Sequence, residues 1–175
     1  MPADPPSPRQ PGAVLFACNL NQVRSPMAEA LLKLLVGDRI YVDSCGLRLP
    51  DMVHDETSDE DVAAGVDPFV EVVMAELGGA LAGHRPKTFD ELEDDSFDLV
   101  VSLTPEAQHR AVELARGRAA DIEYWPIIDP TLVEGSREVR LEAYRQVRDA
   151  LARRIAQRFG LDGPSPIDLP PRGAL

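Results

Sequence analysis

The stretch from Ala13 to Leu35, AVLFACNLNQVRSPMAEALLKLL, limits more tightly than any other what this chain can become. Val14, Leu15 and Phe16 form a short apolar run, the pattern of a buried strand. The run stops at Cys18, and five residues separate that thiol from Arg24. Ser25 stands where a helix N-cap belongs and Pro26 where the first helical residue belongs. Met27, Ala30, Leu31, Leu34 and Leu35 then repeat at the spacing of one helix face. A short loop between a strand and a helix turns its backbone N–H groups inward, beside the positive end of the helix dipole. With a thiol at its start and a guanidinium at its end, such a loop is a cradle for a phosphate-like anion, with a nucleophile inside it.

Downstream, strands and helices alternate. Gly37-Asp38 turns the chain into a second strand over residues 40–46. Phe69, Val70, Val73, Met74 and Leu77 mark a helix closed by Gly78-Gly79. Thr88 with Glu91 matches a capping box ahead of a short helix near Phe89. Residues 97–103 (FDLVVSL) read as a strand covered on both faces. Thr104-Pro105 opens a helix that ends near Gly117, and residues 122–125 make a fourth strand. The last helix runs from about Ser136 to Phe159, with Leu141, Tyr144, Val147, Leu151 and Ile155 on one face and Gly160 as its stop. The acidic stretch from Pro50 to Gly65 reads as a surface loop with at most a helical turn. This alternation, without repeats or internal linkers, predicts one doubly wound α/β domain over residues 13–160. Residues 1–12, with five prolines, read as a disordered arm, and residues 161–175 as a second loose tail. In such sheets ligands bind beyond the carboxyl ends of the strands, and Cys18 and Asp129 both follow strands.

Charge and cysteine content narrow the function. A formal net charge of −12 over 175 residues has the wrong sign for a nucleic-acid groove, so a phosphate site must be made positive locally. No apolar run reaches membrane-spanning length and no charged-then-apolar leader opens the sequence, so neither nucleic acid nor membrane is an expected partner. Two cysteines, Cys18 and Cys45, are too few for a disulfide framework and suit a reducing cytoplasm. They lack metal-ligand spacing, and no histidine lies near them in sequence, so neither metal nor cofactor is expected. Cys45 reads as a packed core thiol, His54, His84 and His109 as surface or structural residues, and Trp125 as a core anchor.

Each loop residue has a chemical reason to be there. Cysteine reacts as the thiolate, and loop amides, a helix N-terminus and Arg24 all favour that anion, so a depressed pKa is expected at Cys18. The planar fork of Arg24 suits two phosphate oxygens, and a cation set against a helix dipole is best explained by an anionic ligand. The backbone amides from Asn19 through Leu20, Asn21, Gln22 and Val23 to Arg24 complete the binding set. Asn21 tolerates left-handed geometry and is expected to support the loop. Ser25 is expected to cap the helix and to donate to the thiolate, and Ser44 to brace the loop from the second strand. Asp129, stiffened by Pro130, is the candidate general acid.

The residues Val14-Leu15-Phe16-Ala17-Cys18 through Arg24-Ser25-Pro26-Met27-Ala28-Glu29-Ala30 resemble the signature of the low-molecular-weight protein tyrosine phosphatases. That family's loop reads Cys-x5-Arg-Ser/Thr, with an asparagine at the position of Asn21. Its Ser-Ala-Gly element resembles Ser44-Cys45-Gly46, and its late Asp-Pro resembles Asp129-Pro130. The likeness runs in order from Val14 to Phe159. It implies a four-stranded parallel sheet in the order 2-1-3-4 with helices on both faces, a phosphocysteine intermediate on Cys18, and Asp129 as acid and then base. The chain departs from the family at Leu20, where glycine is usual. If the loop needs positive φ there, leucine is costly and the loop is reshaped. It departs again at Thr131-Leu132, where tyrosines are frequent.

The expected function is therefore metal-independent hydrolysis of phosphomonoesters, either phosphotyrosine or small aryl phosphates, by a monomer or weak homodimer acting on a phosphoprotein or small molecule. Two alternatives share the loop. Thioredoxin-coupled arsenate reductases need further cysteines downstream, and none follows Cys45, so an arsenate reductase here would use an external thiol. The other alternative is a non-catalytic phosphate-binding module.

Overall fold

The computed structural model describes residues 9–54, 61–63, 65–81 and 83–161. Strand β1 (Ala13–Cys18) leads into helix α1 (Arg24–Val36), and β2 (Tyr41–Gly46) follows after a short 3-10 turn. Two short strands, β3 (Met52–His54) and β4 (Asp61–Ala63), precede α2 (Pro68–Ala75). Then come β5 (Leu99–Ser102), α3 (Pro105–Ala115), β6 (Asp121–Tyr124) and the long α4 (Arg137–Phe159).

The main sheet has the order β2-β1-β5-β6, and every pairing in it is parallel. Counting its strands along the chain gives 2-1-3-4, as the family resemblance implies. The chain leaves β1 toward β2 and returns across β1 to β5, so the strand order reverses between β1 and β5. That reversal opens a crevice at the carboxyl ends of the strands, the end at which Cys18 stands.

Burial explains the two-faced packing. Along β1, Val14, Phe16 and Cys18 join one apolar cluster, with Met27 and Leu31 of α1, Val70 and Val73 of α2, and Leu141, Tyr144 and Leu151 of α4. Leu15 and Ala17, with Cys45 of β2, join the other, against Ala107 and Ala111 of α3 and Phe89 and Phe97. The period of two along a strand thus sends alternate residues to opposite helix layers. The two cysteines fall on opposite sides of the sheet.

Capping follows the sequence at most ends. Thr104 accepts a hydrogen bond from Ala107 N ahead of Pro105, Ser136 accepts one from Val139 N, and Gly160 closes α4 at φ 59°. Thr88 and Glu91 form the expected capping box on a 3-10 turn. Gln10 to Gly12, read as part of the arm, are tied to the body. Gln10 Nε2 donates to Phe159 O, and Gly12 N donates to Asp98 Oδ2. Residues 1–8 and 162–175 of the arm and tail lie outside the described residues.

Two expectations need correction. Ser25 does not cap α1: the helix begins at Arg24, two residues ahead of Pro26, Val23 is at the N-cap, and no side chain caps the end. The serine hydroxyl is held by other partners, described below, and is not available to the first turn. The segment from Pro50 to Gly65 is not simply a loop. Its ends pair as an antiparallel hairpin, Val53 opposite Val62, with a β-branched residue at the centre of each strand. Residues 55–60 and 64 lie outside the described residues.

Candidate active site

The loop between β1 and α1 is shaped by a left-handed step at Asn21, φ 55°, the one non-glycine residue with positive φ among those described. Leu20 is therefore not at a positive φ, and the strain expected if leucine replaced a left-handed glycine does not arise. Asparagine takes that conformation at small cost. Gly46, at the end of β2, lets the loop sit close. A Cβ there would lie 2.8 Å from Asn19 O and 2.9 Å from Asn21 N. Asn19 O in turn accepts from Leu47 N at 2.8 Å and Arg48 N at 3.2 Å.

A buried polar network holds the loop from inside. Asn21 Nδ2 donates to Ser25 Oγ at 2.8 Å and to Ser44 Oγ at 2.9 Å. Ser25 Oγ lies 2.9 Å from Cys18 Sγ and 3.2 Å from Cys45 O. Asn21, Ser25 and Ser44 are fully buried, where an unpaired polar group would be costly, so the network fixes one arrangement. The three residues expected to support the loop are thus joined in one hydrogen-bonded set.

Sequence reading missed the outer half of that set. His84 Nε2 lies 3.1 Å from Asn21 Oδ1 and 3.2 Å from Asn21 O, and Lys87 N donates to Asn21 Oδ1 at 3.1 Å. As Asn21 offers only acceptors here, Nε2 carries the ring proton. Behind it, His84 Nδ1 is 3.8 Å from Glu29 Oε2. Burial raises the Glu29 carboxyl from 4.5 to about 7, and the neighbouring Asp43 adds to the rise while Lys33 and Lys87 oppose it. Burial also lowers the His84 imidazole below its ordinary value. A cavity of about 500 Å³ opens at this back side, lined by Glu29, Lys33, Asp43, His84, Arg85 and Lys87 among others. Buried Cys45 has its thiol pushed well above the ordinary range, the state of a packed core group. Sixty-three positions separate His84 from Asn21, so no local pattern links them.

On the front side, Cys18, Arg24 and Asp129 line a single cavity of about 170 Å³, with Asn19, Leu20, Gln22 and Val23 also in its wall. Arg24 Nη1 donates to Ile127 O at 3.0 Å, and its Nη2 lies 3.8 Å from Asp129 Oδ2. Asp129 Oδ1 accepts from Thr131 N at 2.9 Å and Thr131 Oγ1 at 2.7 Å. That turns Oδ2 toward Arg24 and the cavity. The uncapped first turn of α1 begins at the same cavity, so its N–H groups and dipole favour an anion there. Arg48, Asp67 and Thr131 complete the lining, and none of the three was assigned a site role from the sequence. Asp67 is itself engaged, accepting from Phe69 N and from Tyr144 Oη. The arrangement can hold a tetrahedral oxyanion against a thiol, with a carboxyl on the opposite wall.

Comparison with known proteins agrees with this geometry. The chain is 30% identical over 144 residues to the arsenate reductase of Halalkalibacterium halodurans, covering 81% of this chain and 91% of that protein. It is 30% identical over 135 residues to the low molecular weight protein-tyrosine-phosphatase of Streptomyces coelicolor, covering 72% and 74% respectively. A solved arsenate reductase in the phosphate binding state superposes with a TM-score of 0.64 at 26% identity, covering 85% of this chain and 96% of that one. The family pattern described as low molecular weight phosphotyrosine protein phosphatase matches residues 13–160. With that match across most of its length, and with the sheet order and anion loop described above, the chain belongs to the low molecular weight phosphotyrosine protein phosphatase family.

Proposed function

We propose that this protein hydrolyses phosphate monoesters through a covalent phosphocysteine. The observation that carries the reading is the convergence of Cys18, Arg24, Asp129 and the uncapped start of α1 on one small cavity. In the first step the Cys18 thiolate attacks phosphorus, and the bond from phosphorus to the ester oxygen breaks. Arg24 and the amides from Asn19 to Arg24 hold the three equatorial oxygens. Asp129 Oδ2 gives its proton to the departing oxygen. In the second step Asp129 takes a proton from a water as its oxygen attacks phosphorus, and the phosphorus–sulfur bond breaks with Cys18 leaving as thiolate. Inorganic phosphate is the product. No step calls on a metal or an organic cofactor.

Arsenate reduction is the second reading, favoured by the relatives named arsenate reductase. Arsenate is a tetrahedral oxyanion that the same cradle fits. A disulfide with Cys45 would then be the internal source of the two electrons that release arsenite from Cys18. The two side chains lie on opposite faces of the sheet, so that route needs backbone movement. An external thiol is required for turnover in this reading.

One experiment separates the two. Hydrolysis of p-nitrophenyl phosphate near pH 6 under reducing conditions is compared for the native protein and Cys18→Ser. Activity that disappears in the variant supports the phosphatase. A native protein that leaves the ester intact, yet reduces arsenate when glutathione or a glutaredoxin is supplied, replaces it with the second reading. Binding of vanadate with neither activity leaves a phosphate-binding module.

A further inference from the structure

We propose that the side-chain amide of Asn19, locked in place by Thr104, reads a neutral oxygen acceptor on the leaving group. The cavity would then select phosphate esters of polar alcohols over those with apolar leaving groups. The inference deepens the phosphatase reading and relies on it for the orientation of the ester over Cys18.

Thr104 has its hydroxyl fully assigned. Its Oγ1 accepts from Ala107 N at 3.1 Å, as the N-cap of α3, and donates to Asn19 Oδ1 at 2.7 Å. Thr104 is buried, so this orientation is not diluted by water. With Oδ1 held, the free end of the amide is Nδ2, a pure donor. Asn19 directly follows Cys18 and lines the cavity, and among the described residues no protein group accepts from its Nδ2. The neighbouring neutral and acidic side chains are already engaged, and the other polar side chains of the wall, Arg24 and Arg48, are cations. Gln22 donates to Gly65 O, Asp67 accepts from Phe69 N and Tyr144 Oη, and Asp129 accepts from Thr131. Asn19 therefore offers the wall's available neutral donor.

Size and charge define what meets it. At about 170 Å³ the cavity is smaller than the ~300–1,000 Å³ usual for small-molecule sites, so the acceptor lies within a few bonds of phosphorus. Arg48 in the wall is balanced by Asp67, and the net charge of −12 opposes a second anionic group on the substrate. Among the described residues no aromatic side chain lines the cavity to stack on a phenyl ring. A hydroxyl or carbonyl oxygen beside the ester fits all three conditions. A half-buried donor of this kind disfavours an analogue that lacks its acceptor, because the analogue displaces water from the amide without replacing the hydrogen bond.

The test uses full-length Cys18→Ser protein, in which binding is read without turnover. Titration calorimetry compares 2-hydroxyethyl phosphate with propyl phosphate, a near-isostere without the hydroxyl, and uses inorganic phosphate as reference. The hydroxyl ester is expected to bind roughly 3- to 10-fold more tightly, from one additional hydrogen bond. Adding Asn19→Ala or Asn19→Leu should bring the two affinities together. Thr104→Val should do the same, and Thr104→Ser, which keeps the hydroxyl, should preserve the preference. Equal affinities in the starting protein overturn the inference, as does a preference that survives loss of the amide. A uniform loss of both esters and inorganic phosphate in the Asn19 variants also overturns it, because the amide would then serve the phosphoryl group. Native protein that hydrolyses no ester while the preference is present refutes the phosphatase and leaves the selectivity standing.

Discussion

Ser25 has one hydroxyl proton and two groups that compete for it. Asn21 Nδ2 can only donate to its oxygen, so the proton points either to Cys18 Sγ or to Cys45 O. With Cys18 as thiol, the S–H donates to Ser25 and the serine donates to the carbonyl. With Cys18 as thiolate, the hydroxyl turns to the sulfur. A hydrogen bond to a charged group contributes about 1.5–3 kcal/mol, so Ser25→Ala should lower kcat/KM for p-nitrophenyl phosphate by roughly 10- to 100-fold. Steady-state kinetics at fixed pH would register it. Asp129→Ala should slow esters of poorly acidic alcohols by about two to four orders of magnitude and p-nitrophenyl phosphate much less, since that leaving group needs little protonation. Comparing two leaving groups checks it. Cys18, Arg24 and Asp129 were legible from the sequence because spacing along the chain and position after a strand identify them. Thr104, His84 and Arg48 were not, because they reach the loop from elsewhere in the chain. Ser25 was misread as a cap because its position fits one, and only the folded neighbours show where its hydroxyl goes.

At the scale of elements, α1 links the front cavity to the back one. Its first turn faces the anion site, and Glu29, one turn on, faces His84, Asp43, Lys33 and Lys87. Glu29 has a carboxyl raised to about 7 in the fold against 4.5 in the open chain. Between those values the folded protein holds a proton that the unfolded chain has released. Stability from this group is therefore full below about 4.5 and is lost as pH rises through about 7. His84, lowered by burial, acts with the opposite slope on the acid side. Subtracting the Glu29→Gln profile from the native one isolates the carboxylate. The native melting temperature should fall between pH 5 and 8 relative to the variant, as scanning calorimetry across that range would reveal. The strands, α2, α3 and α4 were legible because apolar periodicity and Gly, Pro and Thr punctuation are local signals. The β3/β4 hairpin was not, since six acidic residues in a short span outweigh two isolated valines in any reading by composition.

For the whole molecule, a buried cation, Arg148, helps to fasten the helix layer over one face of the sheet. Arg148 of α4 donates from Nη1 to Val73 O at 2.8 Å and to Glu76 Oε1 at 2.9 Å, joining α4 to the end of α2. Arg145 reaches the same carboxylate at 3.0 Å. Arg148→Ala should cost about 1–3 kcal/mol, less than a fully buried pair because Glu76 is partly exposed. A lower urea midpoint at unchanged m-value would verify it. Doubly wound topology was legible from alternation alone, whereas this clamp joins residues 72 positions apart.

The separation of the two thiols by the thickness of the sheet also decides how the protein ages under peroxide. A sulfenic acid on Cys18 cannot condense with Cys45 across the sheet without backbone movement, so it either meets a small thiol from solution or advances to the sulfinic acid. Inactivation by hydrogen peroxide should then be reversed by dithiothreitol only when the reductant follows promptly. Intact-mass spectra should show a gain of two oxygens, and no loss of two hydrogens, as the exposure lengthens. In this fold, survival of the reactive sulfur is set by the reductants of its surroundings, with no rescue from within.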